Sequence, residues 1–408
     1  VRILFVNQYY WPDSAATAQM LVDLCEDLAA RGHEVHVLCS RGAYDDRSAA
    51  RRPPRIETRN GVRIWRTAAT GFGKHSYIGQ AIDFLSFHGF VGLRTISRAL
   101  HCDIVVTLTT PPLVGVYGWI AQLVSGVRHV SWVMDLHPDC EWELGIVRRE
   151  QWFVRVADRL NRIVFRAADA CVSLGAYMTG RLREKGVAES NIVEIPVWGH
   201  DLPTGVPRGT LRQKLGLGGK FVVMYSGNAG VVHTFDEICE AARRLRDDDR
   251  FRFLFIGGGR RLAEIKRFVK REKLPNVLYR GYLPRTQLAD SLTTADVHLI
   301  TLRPRLEGVS VPCKLYGIMA AGRPALFVGP AACETADAIR AADCGRTVRG
   351  GDVDQLVRTL RELADDAEMR RRLGENARAA FEQQYNRTAC TRRWADLLES
   401  LMAGGRPA

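Results

Sequence analysis

The chain has 408 residues, 46% hydrophobic and 25% charged, which excludes a disordered, collagen-like or membrane-embedded protein and allows two domains with ordinary cores. Lys and Arg exceed Asp and Glu by 13, of which residues 1–202 hold +2 and residues 203–408 hold +11. That asymmetry suggests an anionic partner for the second half and says nothing of fold.

Residues 1–7 are a nearly continuous apolar run, as expected of a strand buried on both faces of a parallel sheet. The run is too short for a signal peptide and lacks a small-residue cleavage site. Pro12-Asp13-Ser14 opens a helix in which Leu21, Leu24, Cys25 and Leu28 share one face. Gly32 ends that helix, and a strand follows at 34–39. Polar residues 41–60, with Arg51 and Arg52, read as an exposed loop suited to anionic lipid. Strands are then expected at 62–66, 103–107, 129–134, 170–173 and 192–197, and helices at 77–100, 113–124, 153–168 and 178–185. This alternation predicts an α/β doubly wound domain.

Residues 201–219, rich in Pro, Gly and Arg, mark a boundary. The pattern restarts with strands at 221–225, 252–256, 277–280, 297–301 and 325–328, helices at 288–295 and 314–321, and a closing helix at 390–401. The expected domains are 1–202 and 203–385, with 386–408 as a final segment. Two facing doubly wound domains would hold ligands in a cleft outside the carboxyl ends of their strands. The ten cysteines are singles without a CxxC, so a reducing compartment is expected. Cys25, Cys39 and Cys171 read as small buried hydrophobes. The longest apolar run, 113–127, falls short of a bilayer span.

The turn after the first strand lacks the glycines of a dinucleotide fingerprint. Ser14, Ala15, Ala16 and Thr17 still open a helix whose free N–H groups suit an anion, with simple capping by Ser14 as the plain alternative. Gly227-Asn228-Ala229-Gly230 follows one strand, and Gly257-Gly258-Gly259 with Arg260 and Arg261 follows the next. Either cluster alone reads as a tight turn; two at successive strand ends point to one phosphate-holding rim. Asp135-Leu136-His137-Pro138-Asp139 follows a first-domain strand. Its carboxylate and imidazole suit proton transfer or stabilisation of a cationic transition state, and a capped turn explains it equally well. His33, His36 and His129 sit at element edges and read as structural. No cluster has metal-ligand spacing. The most informative block is Glu307-Gly308-Val309-Ser310-Val311-Pro312-Cys313-Lys314 through Gly322-Arg323-Pro324. Its loop N–H groups and Lys314 suit a diphosphate, and Glu307 suits sugar hydroxyls.

Tyr9-Tyr10-Trp11-Pro12, Arg31-Gly32-His33-Glu34, Asp135-Leu136-His137-Pro138, Tyr225-Ser226-Gly227-Asn228, the Gly257 cluster and above all Val311-Pro312-Cys313-Lys314-Leu315-Tyr316-Gly317 carry a family resemblance. The chain resembles family 4 glycosyltransferases of the GT-B fold over essentially its whole length. The last block is most similar to the bacterial surface-polysaccharide branch of colanic-acid, capsule and O-antigen transferases. The resemblance implies a retaining, metal-independent transferase with no cofactor. A UDP-sugar, N-acetylated by analogy with the branch, would be the co-substrate, and a lipid-linked glycan the acceptor. It implies a cytoplasmic enzyme at the inner face of the plasma membrane. Asp135, His137 and Glu307 become the catalytic candidates. Gly227, Asn228, Gly230, His233, Gly257, Gly258, Arg261, Tyr282, Leu283, Ser310, Val311, Pro312 and Lys314 would hold the donor. Tyr9, Ala15, Ala16 and Thr17 would face the acceptor.

The chain also departs from the family. Gly317 stands at the ribose-gripping Glu, and Glu307 is offset by about two positions from the first Glu in a gapless alignment. Asn228 and His233 replace the diphosphate-clamping Arg and Lys, so Lys314, Arg261 and glycine N–H groups would compensate. The family's catalytic His aligns near Met134, and its Gly-Gly is Ala15-Ala16. The helix at 77–100 carries Phe84, Phe87 and Phe90, then Arg94 and Arg98. It suits either a domain core or peripheral membrane contact. A nucleotide-sugar epimerase of the same fold, and a basic nucleic-acid binder without any recognition motif, are the alternative readings.

Overall fold

The computed structural model describes residues 1–13, 15–41, 53–70, 77–202 and 209–405; Ser14, Arg51 and Arg52 lie outside them. The chain forms two compact units. One comprises Val1–Pro196, Gly308–Ser310 and Cys390–Ala408; the other comprises Val197–Glu307 and Val311–Ala389. The division after Pro196 falls ahead of the expected boundary at residue 202.

The first unit runs β1 (Arg2–Val6), α1 (Ala16–Ala30), β2 (Glu34–Ser40), β3 (Ile56–Arg59), β4 (Val62–Thr67), α2 (Tyr77–Ala99) and β5 (Ile104–Thr107). It continues through α3 (Gly115–Ser125), β6 (Arg128–Trp132), α4 (Asp139–Glu143), α5 (Trp152–Ala167), β7 (Ala170–Ser173), α6 (Ala176–Glu184) and β8 (Ile192–Glu194). The sheet order is β3-β4-β2-β1-β5-β6-β7-β8. Every pairing is parallel except β3 with β4. Leu4 and Val6 of β1 pack with Phe87 and Val91 of α2 and Ala121 of α3. The predicted start of α1 at Pro12–Ser14 moves to Ala16. Asp13 instead accepts a 3.2 Å bond from the Ala15 N–H, closing a turn ahead of the helix.

Contacts among buried side chains tie the unit's elements together. Lys185 Nζ lies 2.6 Å from Asp139 and 2.7 Å from Asp158, fixing the short α4 against α5. Trp394 is fully buried, with its ring 4.7 Å from that of Trp132 on β6, and Thr391 bonds Asp27 of α1 at 2.9 Å.

The second unit runs α7 (Thr210–Lys214), β9 (Phe221–Asn228), α8 (Asp236–Arg244), β10 (Phe251–Gly258), α9 (Leu262–Glu272), β11 (Val277–Arg280), α10 (Leu288–Thr293) and β12 (Val297–Thr301). Then come α11 (Lys314–Ala320), β13 (Ala325–Gly329), α12 (Glu334–Ala341), β14 (Gly345–Arg349), α13 (Val353–Asp365), α14 (Ala367–Ala380) and α15 (Arg387–Met402), whose residues from Cys390 onward belong to the first unit. Its parallel sheet is ordered β11-β10-β9-β12-β13-β14. Side chains alternate between two cores: Val223, Tyr225, Phe253 and Phe255 enter one, and Val222, Met224, Leu254 and Ile256 enter the other. Strands buried on both faces read as continuous apolar runs for this reason.

Trp394→Ala should destabilise the first unit by about 3–5 kcal/mol, the usual loss for truncating a buried tryptophan. Urea unfolding followed by fluorescence measures it; an unchanged midpoint would show that this contact carries no stability.

Candidate active site

In the second unit the site is built from two strand ends. β9 and β10 run in parallel register to their last residues, pairing Gly257 with Gly227 and Gly258 with Asn228. Gly227, Gly257 and Gly259 have φ of +123°, +125° and +123°, a region closed to most side chains. A Cβ on Gly257 would stand 2.2 Å from the Gly227 carbonyl oxygen, and one on Gly259 would stand 2.5 Å from the Ala229 nitrogen. The glycine clusters exist because two backbones nearly touch. The Ala229 N–H donates to the Gly258 carbonyl at 2.6 Å and the Arg261 N–H to the Ala229 carbonyl at 3.0 Å, tying the two turns together.

Lys314, the first residue of α11, lies beside this rim. Its Cε would be 3.1 Å from a Cβ on Gly227, and its Nζ lies 4.8 Å from the centre of the Tyr225 ring. Its Nζ also lies 3.0 Å from His233 Nε2. The other ring nitrogen of His233, Nδ1, lies 2.6 Å from the Thr301 carbonyl oxygen. A carbonyl only accepts, so Nδ1 carries the hydrogen and Nε2 presents a lone pair to the lysine. Burial, reinforced by the Lys314 charge, keeps His233 neutral, its pKa well below the usual value. Burial lowers Lys314 to about 8. His233 thus holds a lysine from another element.

Arg261 is less available than the sequence implied. Its guanidinium pairs with Glu264 at 2.9 Å and donates to the His233 carbonyl at 3.2 Å, so it braces the turn. The Asn228 Oδ1 is buried and has no hydrogen-bond partner among the described residues. Tyr282 packs over Gly258, where an added Cβ would meet its ring at 2.8 Å, and Leu283 joins the hydrophobic cluster beneath. Gly230, Val311, Pro312 and Glu307 also belong to this unit, and Gly317 has room for a Cβ, with Leu292 its nearest neighbour at 3.9 Å.

In the first unit, Asp135 and His137 follow β6. They do not form a pair with each other. His137 Nδ1 lies 2.7 Å from Glu141 on the next helical turn. Burial opposes charge on this ring, but the Glu141 carboxylate prevails, with smaller help from Asp135, and pushes His137 up to about 9. His137 is therefore an imidazolium at neutral pH and not a proton acceptor. The Asp135 N–H bonds Thr109 Oγ1 at 3.2 Å, and Asp135 forms a backbone bridge with Ser310. The Leu136 N–H donates to the Val309 carbonyl at 2.9 Å. Ser310, expected among the donor residues, folds with the first unit. Gly308, at φ +66°, permits this, since a Cβ there would meet the Tyr177 carbonyl oxygen at 2.4 Å.

The expected acceptor residues divide. Tyr9 and Ala15 are buried together with Ala18, so their side chains form a wall inside the unit. Ala16 is exposed and Thr17 half-buried. His33, His36 and His129 fill structural roles: His33 reaches Glu399 at 3.2 Å, His36 stacks on Trp65 at 4.7 Å, and His129 bonds Thr107 at 2.9 Å. Sequence reasoning passed over Glu141 and Thr301, and read Tyr225 only as part of a motif, without a role beside Lys314. The His137–Glu141 spacing of four was readable as a helical pair, but α4 spans only Asp139–Glu143 and shows no periodicity.

Glu141→Gln should drop the His137 pKa from about 9 toward the ordinary value of about 6.5 or lower. Because the folded pKa is raised, the pair's stabilisation is full below the unfolded value and is lost as pH climbs through about 9. An NMR titration of the imidazole checks this; an unmoved pKa would refute the assignment.

Residues 16–198 match the Glycosyl transferase 4-like domain family, and residues 207–380 match Glycosyl transferases group 1. The chain is 26% identical over 322 residues to a probable glycosyltransferase, WbjE, of Pseudomonas aeruginosa, covering 78% of this chain and 80% of that one. It is 26% identical over 350 residues to WcaI of Escherichia coli (strain K12), a putative colanic acid biosynthesis glycosyl transferase, covering 82% and 84%. Anabaena HepE, solved in complex with UDP, shares the fold with a TM-score of 0.71 at 14% identity over 98% of this chain and 100% of that one. The two parallel-sheet units are those of the GT-B fold, and the chain belongs to the glycosyltransferases that join a 4-like domain to a group 1 domain.

Proposed function

We propose that this glycosyltransferase moves an N-acetylated sugar, with retention, from a UDP-sugar to a lipid-linked glycan during surface polysaccharide biosynthesis, working at the inner face of the plasma membrane. The observation that carries the donor side is Lys314, held by His233 beside the Gly227 and Gly257 turns. A cation beside two glycine turns at successive strand ends suits a diphosphate. HepE in complex with UDP-glucose supports a nucleotide-sugar donor, and WcaI, named for colanic acid, supports the pathway class. The N-acetyl group and the lipid carrier rest on the branch resemblance.

In the proposed reaction the bond from the anomeric carbon to the diphosphate oxygen breaks, and UDP leaves with the electron pair. The acceptor hydroxyl oxygen bonds the same face, and its proton passes to the departing phosphate oxygen. Lys314 stabilises the charge that develops on that leaving group. An imidazolium at His137 takes no proton, which is consistent with a reaction whose base is the leaving group. Lys314 supplies the charge that a metal would otherwise bring, so metal independence is part of the proposal.

Donor affinity should be full below about pH 8 and fall by up to about tenfold per pH unit above it, as Lys314 loses its proton. Calorimetry with UDP measures this, and a flat profile would sink the clamp. Lys314→Ala should cut turnover far more than stability; unchanged turnover would refute the donor site. A panel of UDP-, GDP- and dTDP-sugars should show preference for UDP and insensitivity to EDTA. Loss of activity on chelation, restored by magnesium, would overturn metal independence. A new UDP-sugar isomer formed without acceptor would favour the epimerase.

A further inference from the structure

The second face of α2 is not what a surface helix normally presents. Phe87 and Val91 are buried in the core of the first unit. On the solvent side, Ile78, Ile82, Leu85, Phe90 and Leu93 are exposed, Ile78 by 76% and Leu93 by 83%. Between residues 78 and 93 the sequence holds one charged residue, Asp83, and it is buried. The helix therefore has a core face and a second apolar face where charges are expected. Arg94 and Arg98 follow at its end.

α3 packs between α2 and α5, so the three helices form one layer. α5 opens with exposed Trp152, Phe153 and Val156, Trp152 by 77%. Next to them in sequence lies a groove of about 490 Å³ whose lining includes Arg149, Arg155, Arg159 and Arg162 against two carboxylates, Glu150 and Asp158. Arg162 is paired with Asp158, and Arg149 lies over Trp142 at 5.1 Å. Arg155 and Arg159 have no carboxylate partner among the described residues. No described helix is long and apolar enough to cross a membrane.

We propose that the α2–α3–α5 layer docks on an anionic lipid bilayer, with the α2 face at the acyl boundary and the α5 arginines on headgroup phosphates. The proposal rests on the lipid-linked acceptor suggested above. Charge complementarity selects this occupant. Unpaired arginines beside an exposed tryptophan match the headgroup level, where anionic lipid attracts each basic residue and indole sits half wet. A second copy fits less well, since a two-fold dimer would set the patch, arginines included, against itself.

The test is flotation of the full chain with vesicles of phosphatidylglycerol and phosphatidylcholine, against phosphatidylcholine alone. The chain should float with the anionic vesicles and be released by salt. Leu85→Glu/Leu93→Glu and Arg155→Glu/Arg159→Glu should each weaken flotation by about tenfold or more, while UDP affinity stays at the wild-type value. Wild-type chain that stays off anionic vesicles, or variants that float unchanged, would overturn the proposal. So would a wild-type dimer that the leucine pair converts to monomer without changing flotation. Vesicle binding without UDP affinity would leave the docking standing and sink the donor reading.

Discussion

The backbones of β9 and β10 approach so closely at their ends that no side chain fits between them. That approach governs the second unit's site. Gly257 and Gly227 stand so near that a Cβ on one would meet the other's carbonyl oxygen at 2.2 Å. Glycine at these places is a steric requirement, and the positive φ it adopts turns the chain sharply away from the sheet. The turns set the Lys314 stem beside Gly227, its Cε 3.1 Å from where a Cβ would stand. A side chain at Gly227 would push Lys314 off Tyr225 and off His233 together.

The two candidate centres use burial in opposite ways. At Lys314 burial outweighs the opposing effect of Cys313 and lowers the ammonium to about 8, so it is charged at neutral pH and stands to gain from a diphosphate. At His137 a carboxylate at 2.7 Å overrides desolvation, and the ring is committed to its charged form. One site waits for an anion from outside, and the other already contains its own. His233 belongs with the first case: the Thr301 carbonyl sets its tautomer, and its lone pair orients the lysine without adding charge. A histidine thus serves where a second cation would repel the first.

Much of the fold was legible because buried parallel strands must be apolar on both faces. Residues 277–280 and 297–301 were predicted as strands with the bounds of β11 and β12. Boundaries set by loop contacts were not legible. The start of α1 depends on where Asp13 finds a donor, and the strand expected at 192–197 stops at Glu194. The site was legible as residue types and not as partnerships. Gly227, Gly257 and Lys314 stood out by kind, whereas Asp135 with His137 looked like a pair only because they are neighbours in sequence. Arg261 stood out by charge and is engaged by Glu264.

The sequence by itself determined two α/β units, the glycine turns at successive strand ends and a cation opening the helix at Lys314. These follow from local patterns: apolar runs, turn residues and helix starts. Only the tertiary structure decided that Ser310 bridges Asp135, that His233 holds Lys314 and that Glu141 charges His137. It also decided that the helix at 77–100 is neither simply core nor simply surface. The physical reason is shared: pKa, tautomer and exposure are set by which groups come within a few ångströms. For groups as far apart in sequence as His233 and Lys314, that is a property of packing.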